Sequence, residues 1–214
     1  PFYSLGVNGV RIKSIRGNAD VSRVKGREWL FEEIPSVEAA PACFREEGQY
    51  FSYYCWNVDR KYPSLGDWRQ QAYQRLERIG FNTIGNWSDT IFYRRPQLPY
   101  TYTLDTRKVD SMVMTNGLPD VFHPDWEQFL ASTFQEINRF QTDPYLLGFF
   151  VDNEMSWRSI TRLDSASYTG RYLTQLDSEA AQRAAYSERY FATVKATIHR
   201  FAPKHMYLGC RFTR

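Results

Sequence analysis

The chain has 214 residues, 43% of them hydrophobic and 17% aromatic, with a formal net charge of +3. That is enough apolar material for one domain with a sizeable core, and the charge is too small and too evenly spread to suit nucleic acid. No run approaches the roughly 18 apolar residues of a membrane span, so neither a nucleic acid nor a membrane is expected as partner.

The sequence opens on Pro1 with no secretory signal. It is therefore expected to begin inside a longer or processed polypeptide, and export of that parent, to the medium or the periplasm, stays open. Cys43, Cys55 and Cys210 are odd in number and lack metal-ligand spacing, which favours buried thiols over a disulfide framework. His123, His199 and His205 are isolated from one another, so no metal and no cofactor is expected.

Along the chain, Phe2 to Val7 reads as a first strand ended by Asn8-Gly9. A long irregular stretch follows, broken by Gly17-Asn18, Gly26, Pro35 and Pro41, with a short helix around Trp29 to Ile34. A connection of that length signals a functional loop or an unrecognised element. Tyr50 to Trp56 reads as a strand or as a lining segment. Asp67 is placed to cap a helix with Trp68, Ala72, Leu76 and Ile79 on one face, closed by Gly80. Phe81 to Gly85 is then a strand, running into Asn86-Trp87-Ser88-Asp89, and another strand falls within Leu98 to Leu104.

Beyond Pro119 and Pro124, Trp126, Phe129, Leu130, Phe134, Ile137 and Phe140 recur at helical spacing. Leu146 to Val151 is a short apolar run behind the turn signal Asp143-Pro144, the pattern of a strand buried on both faces of a parallel sheet. A long helix from about Ser178 carries Tyr186, Tyr190, Val194, Ile198 and Phe201 and stops before Pro203, and the last strand is Met206 to Phe212. About five strands alternating with amphipathic helices define an α/β chain with a parallel sheet.

The central run breaks abruptly into Asp152, Asn153 and Glu154. Parallel α/β folds bind ligands and do chemistry at the carboxyl ends of their strands. A glutamic acid there can protonate a leaving oxygen, an amide can bond a sugar hydroxyl, and a nearby indole such as Trp157 can stack on a sugar ring. Asn86 and Trp87 end a strand on the same predicted face and are read as sugar contacts. Asp152 is grouped with the substrate-binding residues, in the role of orienting its neighbours, since adjacent acids cannot all enter one cleft. Trp157 serves as stacking platform or as loop packing. Arg211 bonds a hydroxyl, holds Glu154 ionised between proton transfers, or forms a structural salt bridge. Asp89 contacts sugar or caps the next helix, while Asp120 and His123 flank a turn and read as structural.

Three segments carry a resemblance: Phe81 to Asp89, Gly148 to Glu154, and Tyr207 to Phe212. Together they resemble the β-agarase-like glycoside hydrolases of clan A, with β-galactosidases as cousins. The resemblance implies a (β/α)8 TIM barrel and a retaining mechanism with two glutamates acting on β-galactosidic linkages of a galactan such as agarose. On it, Glu154 takes the acid/base position and Asn153 is its hydrogen-bonding neighbour.

The clan's nucleophilic glutamate follows the seventh strand, and no position in this sequence receives its role. A retaining site needs both carboxyl groups about 5–5.5 Å apart. Residues 1–214 are therefore expected to be a single, partial TIM-barrel domain truncated after about five β/α units, the N-terminal part of such an enzyme, inactive alone. The rest of the parent chain, or self-association, would cover its open edges. The other reading is a non-catalytic carbohydrate-binding protein or inactive remnant. A metal-dependent hydrolase using Asp152 and Glu154 is disfavoured by the lack of a nearby histidine.

Overall fold

The computed structural model describes residues 4–12, 18–109, 111–210 and 212–213, and only the backbone at Trp157, Phe212 and Thr213. Pro1, Phe2, Gly17 and Arg211 lie outside the described residues, and with them the expected start of the first strand and the role expected of Arg211. The chain divides into two compact units, Pro1–Leu98 and Pro99–Arg214.

In the first unit, β1 (Gly6–Val7) pairs in parallel with β2 (Thr83–Ile84). The long stretch after β1 holds an element the sequence did not reveal. Ala19–Asp20 and Phe44–Arg45 flank Tyr50–Phe51 in a small antiparallel sheet. The expected helix near Trp29 is a single 3-10 turn, Glu28–Leu30. The ambiguous Tyr50 to Trp56 segment is both strand and helix. Ser52 Oγ accepts the Cys55 N–H at 3.2 Å and starts α1 (Tyr53–Lys61), which removes its second half from the sheet.

The helix α2 (Leu65–Ile79) is capped by Ser64 rather than Asp67. Ser64 Oγ accepts the Asp67 N–H at 3.2 Å and donates to Asp67 Oδ2 at 2.6 Å, a reciprocal cap that puts the carboxylate inside the first turn. Gly80, at φ 99°, ends it in the left-handed conformation. Trp68, Ala72 and Leu76 are buried as expected, joined by Tyr73, but Ile79 in the last turn is 62% exposed. Trp68 and Tyr73 pack edge-on against Phe92, with ring centroids 5.4 and 5.1 Å apart.

In the second unit, β4 (Leu146–Val151) lies between β3 (Tyr100–Leu104) and β5 (Met206–Gly209), all parallel. Its bounds agree with the sequence reading. Phe149 and Val151 are fully buried, whereas Leu147 and Phe150 are half-buried, so the burial is less complete than the apolar run predicts. Gly148 is required for the β4–β5 pairing, because a Cβ there would stand 2.2 Å from the Met206 carbonyl oxygen. His205 fastens the start of β4, its ring nitrogens 2.9 Å from the Leu146 carbonyl and 2.7 Å from that of Phe140.

The helical run after Pro124 is split into α3 (Trp126–Phe134) and a 3-10 segment, Gln135–Phe140. A short helix, α4 (Tyr168–Leu173), precedes the long α5 (Glu179–Phe201). Ser178 Oγ accepts the Ala181 N–H to cap α5, and Tyr186, Tyr190, Val194 and Ile198 form its buried stripe. The Trp126 indole N–H donates to Thr193 Oγ1 at 3.0 Å, tying α3 to α5.

The predicted last strand is divided by Gly209 at φ 90°. Met206–Gly209 stays in the main sheet, while Phe212–Thr213 pairs with Met155–Ser156. The result is a mixed α/β fold with parallel sheet, in which neither unit closes a barrel among the described residues. Nor is any helix among them long and apolar enough to cross a membrane.

Candidate active site

The site begins where β4 ends. The Asp152 N–H still bonds to the Leu104 carbonyl at 2.8 Å, but Asp152 itself has φ 59° and Glu154 has φ 56°. A left-handed conformation at a residue with a Cβ costs about 1–3 kcal/mol, and it persists only where surrounding contacts impose it. Two such residues in three therefore mark a turn that tertiary structure holds.

The Asp152 carboxylate supplies much of that hold. It is only 6% exposed and accepts three hydrogen bonds. The Thr106 N–H donates to Oδ1 at 2.7 Å, and the Thr106 and Tyr190 hydroxyls each donate to Oδ2 at 2.6 Å. Burial pushes the Asp152 carboxyl up, and the Thr106 and Tyr190 donors offset only part of this. Next to Thr106, Asp105 receives Arg107 Nε and Nη2 at 2.9 Å each, a two-pronged pair. Partial burial pushes the Asp105 carboxyl up, but the hydrogen bonds from Arg107 outweigh it and bring it below the usual range.

Glu154, by contrast, is exposed. It lines a cleft of about 180 Å³ together with Asn153, Arg107, Asn116, Pro119 and Ser159. One wall is the hairpin of Met114–Thr115 with Leu118–Pro119, turned by Asn116 at φ 46° and Gly117 at φ 78°. An Asn-Gly pair with both φ positive is the favoured two-residue hairpin turn. The Asn116 amide donates to the Arg162 carbonyl at 3.2 Å, anchoring that wall. Larger hollows, about 360 Å³ between α3 and α5 and about 600 Å³ around Val21 to Ile34, are lined by helix and loop residues rather than strand ends.

In the first unit, Asn86 and Trp87 follow β2. Asn8 Oδ1 accepts the Asn86 N–H at 2.9 Å, and the Asn86 carbonyl accepts the Gly9 N–H at 2.8 Å. A Cβ at Gly85 would lie 2.1 Å from Asn8 Oδ1, so glycine is needed for this lock between the ends of β1 and β2. Asn86 is buried at 7% exposure, while Trp87, at φ 59°, is 38% exposed. Asp89 Oδ1 accepts the Ile91 N–H at the start of the short helix Ile91–Arg94.

Of the expected site residues, the structure brings Asp152, Asn153 and Glu154 to one cleft and sets Asn86 and Trp87 at a strand end of the other unit. Asp152, grouped with the substrate-binding residues, has its carboxylate taken up by protein donors because Thr106 and Tyr190 enclose it. Trp157 opens the 3-10 segment Trp157–Arg162. Asp120 is buried and accepts the N–H groups of Tyr168 and Thr169 at 3.1 and 2.6 Å, holding the start of α4. Sequence reasoning passed over Thr106, Arg107 and the Asn116-Gly117 turn. Only the last has a local signal, an Asn-Gly pair between Met114-Thr115 and Leu118. Cys43, Cys55 and Cys210 are thiols rather than disulfide-bonded, the first two buried and the third half-buried, and burial pushes the Cys210 thiol up to about 12. Among the described residues no group of three His, Cys, Asp or Glu side chains could hold a metal ion.

Fold and cleft thus define an α/β protein with an exposed glutamate at the end of a central parallel strand. No family model matches the chain. It is 29% identical over 191 residues to Beta-agarase A of Vibrio sp. (strain JT0107), a match covering 78% of this chain and 19% of the agarase. With Beta-agarase B of the same strain it shares 23% identity over 237 residues, 78% of this chain and 24% of that protein. The fold is similar to the crystal structure of an agarase, AgWH50C, with a TM-score of 0.77 and 24% identity over 99% of this chain and 39% of that one. The chain is agarase-like in sequence and in fold, and its matches span about a fifth to a quarter of the length of these curated relatives.

Proposed function

We propose that the chain is the N-terminal part of the catalytic domain of a glycoside hydrolase that cleaves β-galactosidic linkages in a galactan such as agarose. Glu154 is the acid/base of a retaining mechanism. Its carboxyl protonates the glycosidic oxygen as the bond breaks, then takes the proton from the water that releases the sugar. The observation that carries this reading is the exposed Glu154, turned by a left-handed backbone into a cleft at the end of the central strand. Asn153 bonds a sugar hydroxyl beside it, and Asn86, Trp87, Trp157 and Arg211 make further sugar contacts. The nucleophilic glutamate comes from a later strand of a (β/α)8 barrel, so residues 1–214 alone do not turn over substrate.

The test is Glu154→Gln in the full-length enzyme. The amide is nearly isosteric and keeps substrate binding but has no proton to give, so activity on agarose should fall by about 10²–10⁴-fold. An aryl glycoside with a good leaving group should lose less in the first step. Wild-type turnover of agarose by the variant would remove Glu154 from the acid/base role.

A further inference from the structure

We propose that Tyr190 and Asp152 form a positioning pair for Glu154, setting the turn from which its carboxyl reaches the cleft; this rests on the acid/base reading above. The backbone leaves β4 through two non-glycine residues in the left-handed region, Asp152 and Glu154. Such a path needs outside contacts to select it.

Asp152 makes several such contacts. Its N–H bonds to Leu104 at the end of β3, and its carboxylate is shared between Thr106, just beyond β3, and Tyr190 on α5. One side chain therefore ties the end of the central strand to a neighbouring strand and to the long helix. The ring of Tyr190 is fully buried, so it cannot itself touch substrate. Its hydroxyl acts on Glu154 through Asp152, two residues away. Thr106 also precedes Arg107, which lines the same cleft as Glu154, so this network holds two walls at once.

Kinetics and hydrogen exchange of the full-length enzyme test the pair. Tyr190→Phe removes one donor and leaves the ring. It should lower kcat on agarose oligosaccharides by about tenfold or more, with KM within about twofold, since orientation of the acid matters chiefly in the transition state. The amides of residues 152–155 should exchange faster. Thr193→Val is the control: it removes the acceptor of the Trp126 indole and the hydroxyl's bonds to the Arg189 and Tyr190 backbone carbonyls, but leaves the Tyr190 hydroxyl on Asp152. It should lower thermal stability while leaving kcat and the exchange of residues 152–155 unchanged. Wild-type kcat or exchange in Tyr190→Phe would overturn the proposal, as would an equal loss of kcat in Thr193→Val. Wild-type kcat in Glu154→Gln would instead overturn the acid/base reading beneath it, a result the exchange data cannot mimic.

Discussion

The hydroxyl of Tyr190 donates to Asp152 Oδ2 at 2.6 Å, joining a helix to the end of a strand 38 residues earlier. Periodicity explains why Tyr190 is inside, because it shares a stripe with Tyr186, Val194 and Ile198. It does not explain why a tyrosine stands there. A buried carboxylate without donors is costly, and each donor that meets it removes part of that cost.

The Asp152 carboxyl gives the protein a defined pH signature. Burial, with Asp105 also nearby, raises its folded value above the ordinary 3.8, outweighing the hydrogen bonds of Thr106 and Tyr190. The folded state therefore holds this proton more tightly than the unfolded chain does. Its stabilising contribution is complete below the ordinary value and lost as pH rises through the folded one. Urea midpoints of wild type and Asp152→Asn, measured from acid to neutral pH, should show the wild-type advantage shrinking as pH rises. An advantage that grows with pH would contradict the assignment.

Gly148 and Gly6 should respond differently to alanine. At Gly148 the new Cβ meets the Met206 carbonyl at 2.2 Å, and a backbone atom cannot swing aside. At Gly6 the nearest atom is the Thr83 Cβ at 3.5 Å, an ordinary contact. Gly148→Ala should cost about 1–3 kcal/mol by forcing β4 and β5 apart, and Gly6→Ala much less. Chemical denaturation of the two variants measures the difference, and equal costs would show that the β4–β5 approach has slack.

His205→Ala removes the partner of two carbonyls, those of Leu146 and Phe140, at a site only 7% exposed. With the edge-on contact to Phe149 also lost, the cost should be roughly 2–4 kcal/mol. The melting temperature reports it. A change under about 0.5 kcal/mol would mean that water replaces the ring without penalty.

Residues 1–214 alone should self-associate. Met206 on the outer strand of the second unit is 54% exposed, Leu5 beside β1 is 42% exposed, and Trp29 and Leu30 are 82% and 57% exposed. Outer strands and apolar patches of this kind invite pairing. Sedimentation velocity across a concentration series should show species larger than a monomer. A monodisperse monomer with one sharp thermal transition would show that these surfaces need no cover.

The sequence by itself determined the elements whose causes are local. Leu146–Val151 follows from an apolar run between turn signals, α5 from the Ser178 cap, an i, i+4 stripe and Pro203, and the end of α2 from Gly80. It also put Asp152, Asn153 and Glu154 at a strand end. Only the tertiary structure decided what those three residues do next. Asp152 turns inward because Thr106, 46 residues before it, and Tyr190, 38 after it, supply donors, while Glu154 stays in the cleft. Ser52, not the aromatic pattern, divided Tyr50 to Trp56, and Gly85 is glycine because Asn8 arrives from the other strand. Short-range periodicity records which side of an element is apolar; which polar groups meet across the fold depends on distances that the order of residues does not contain.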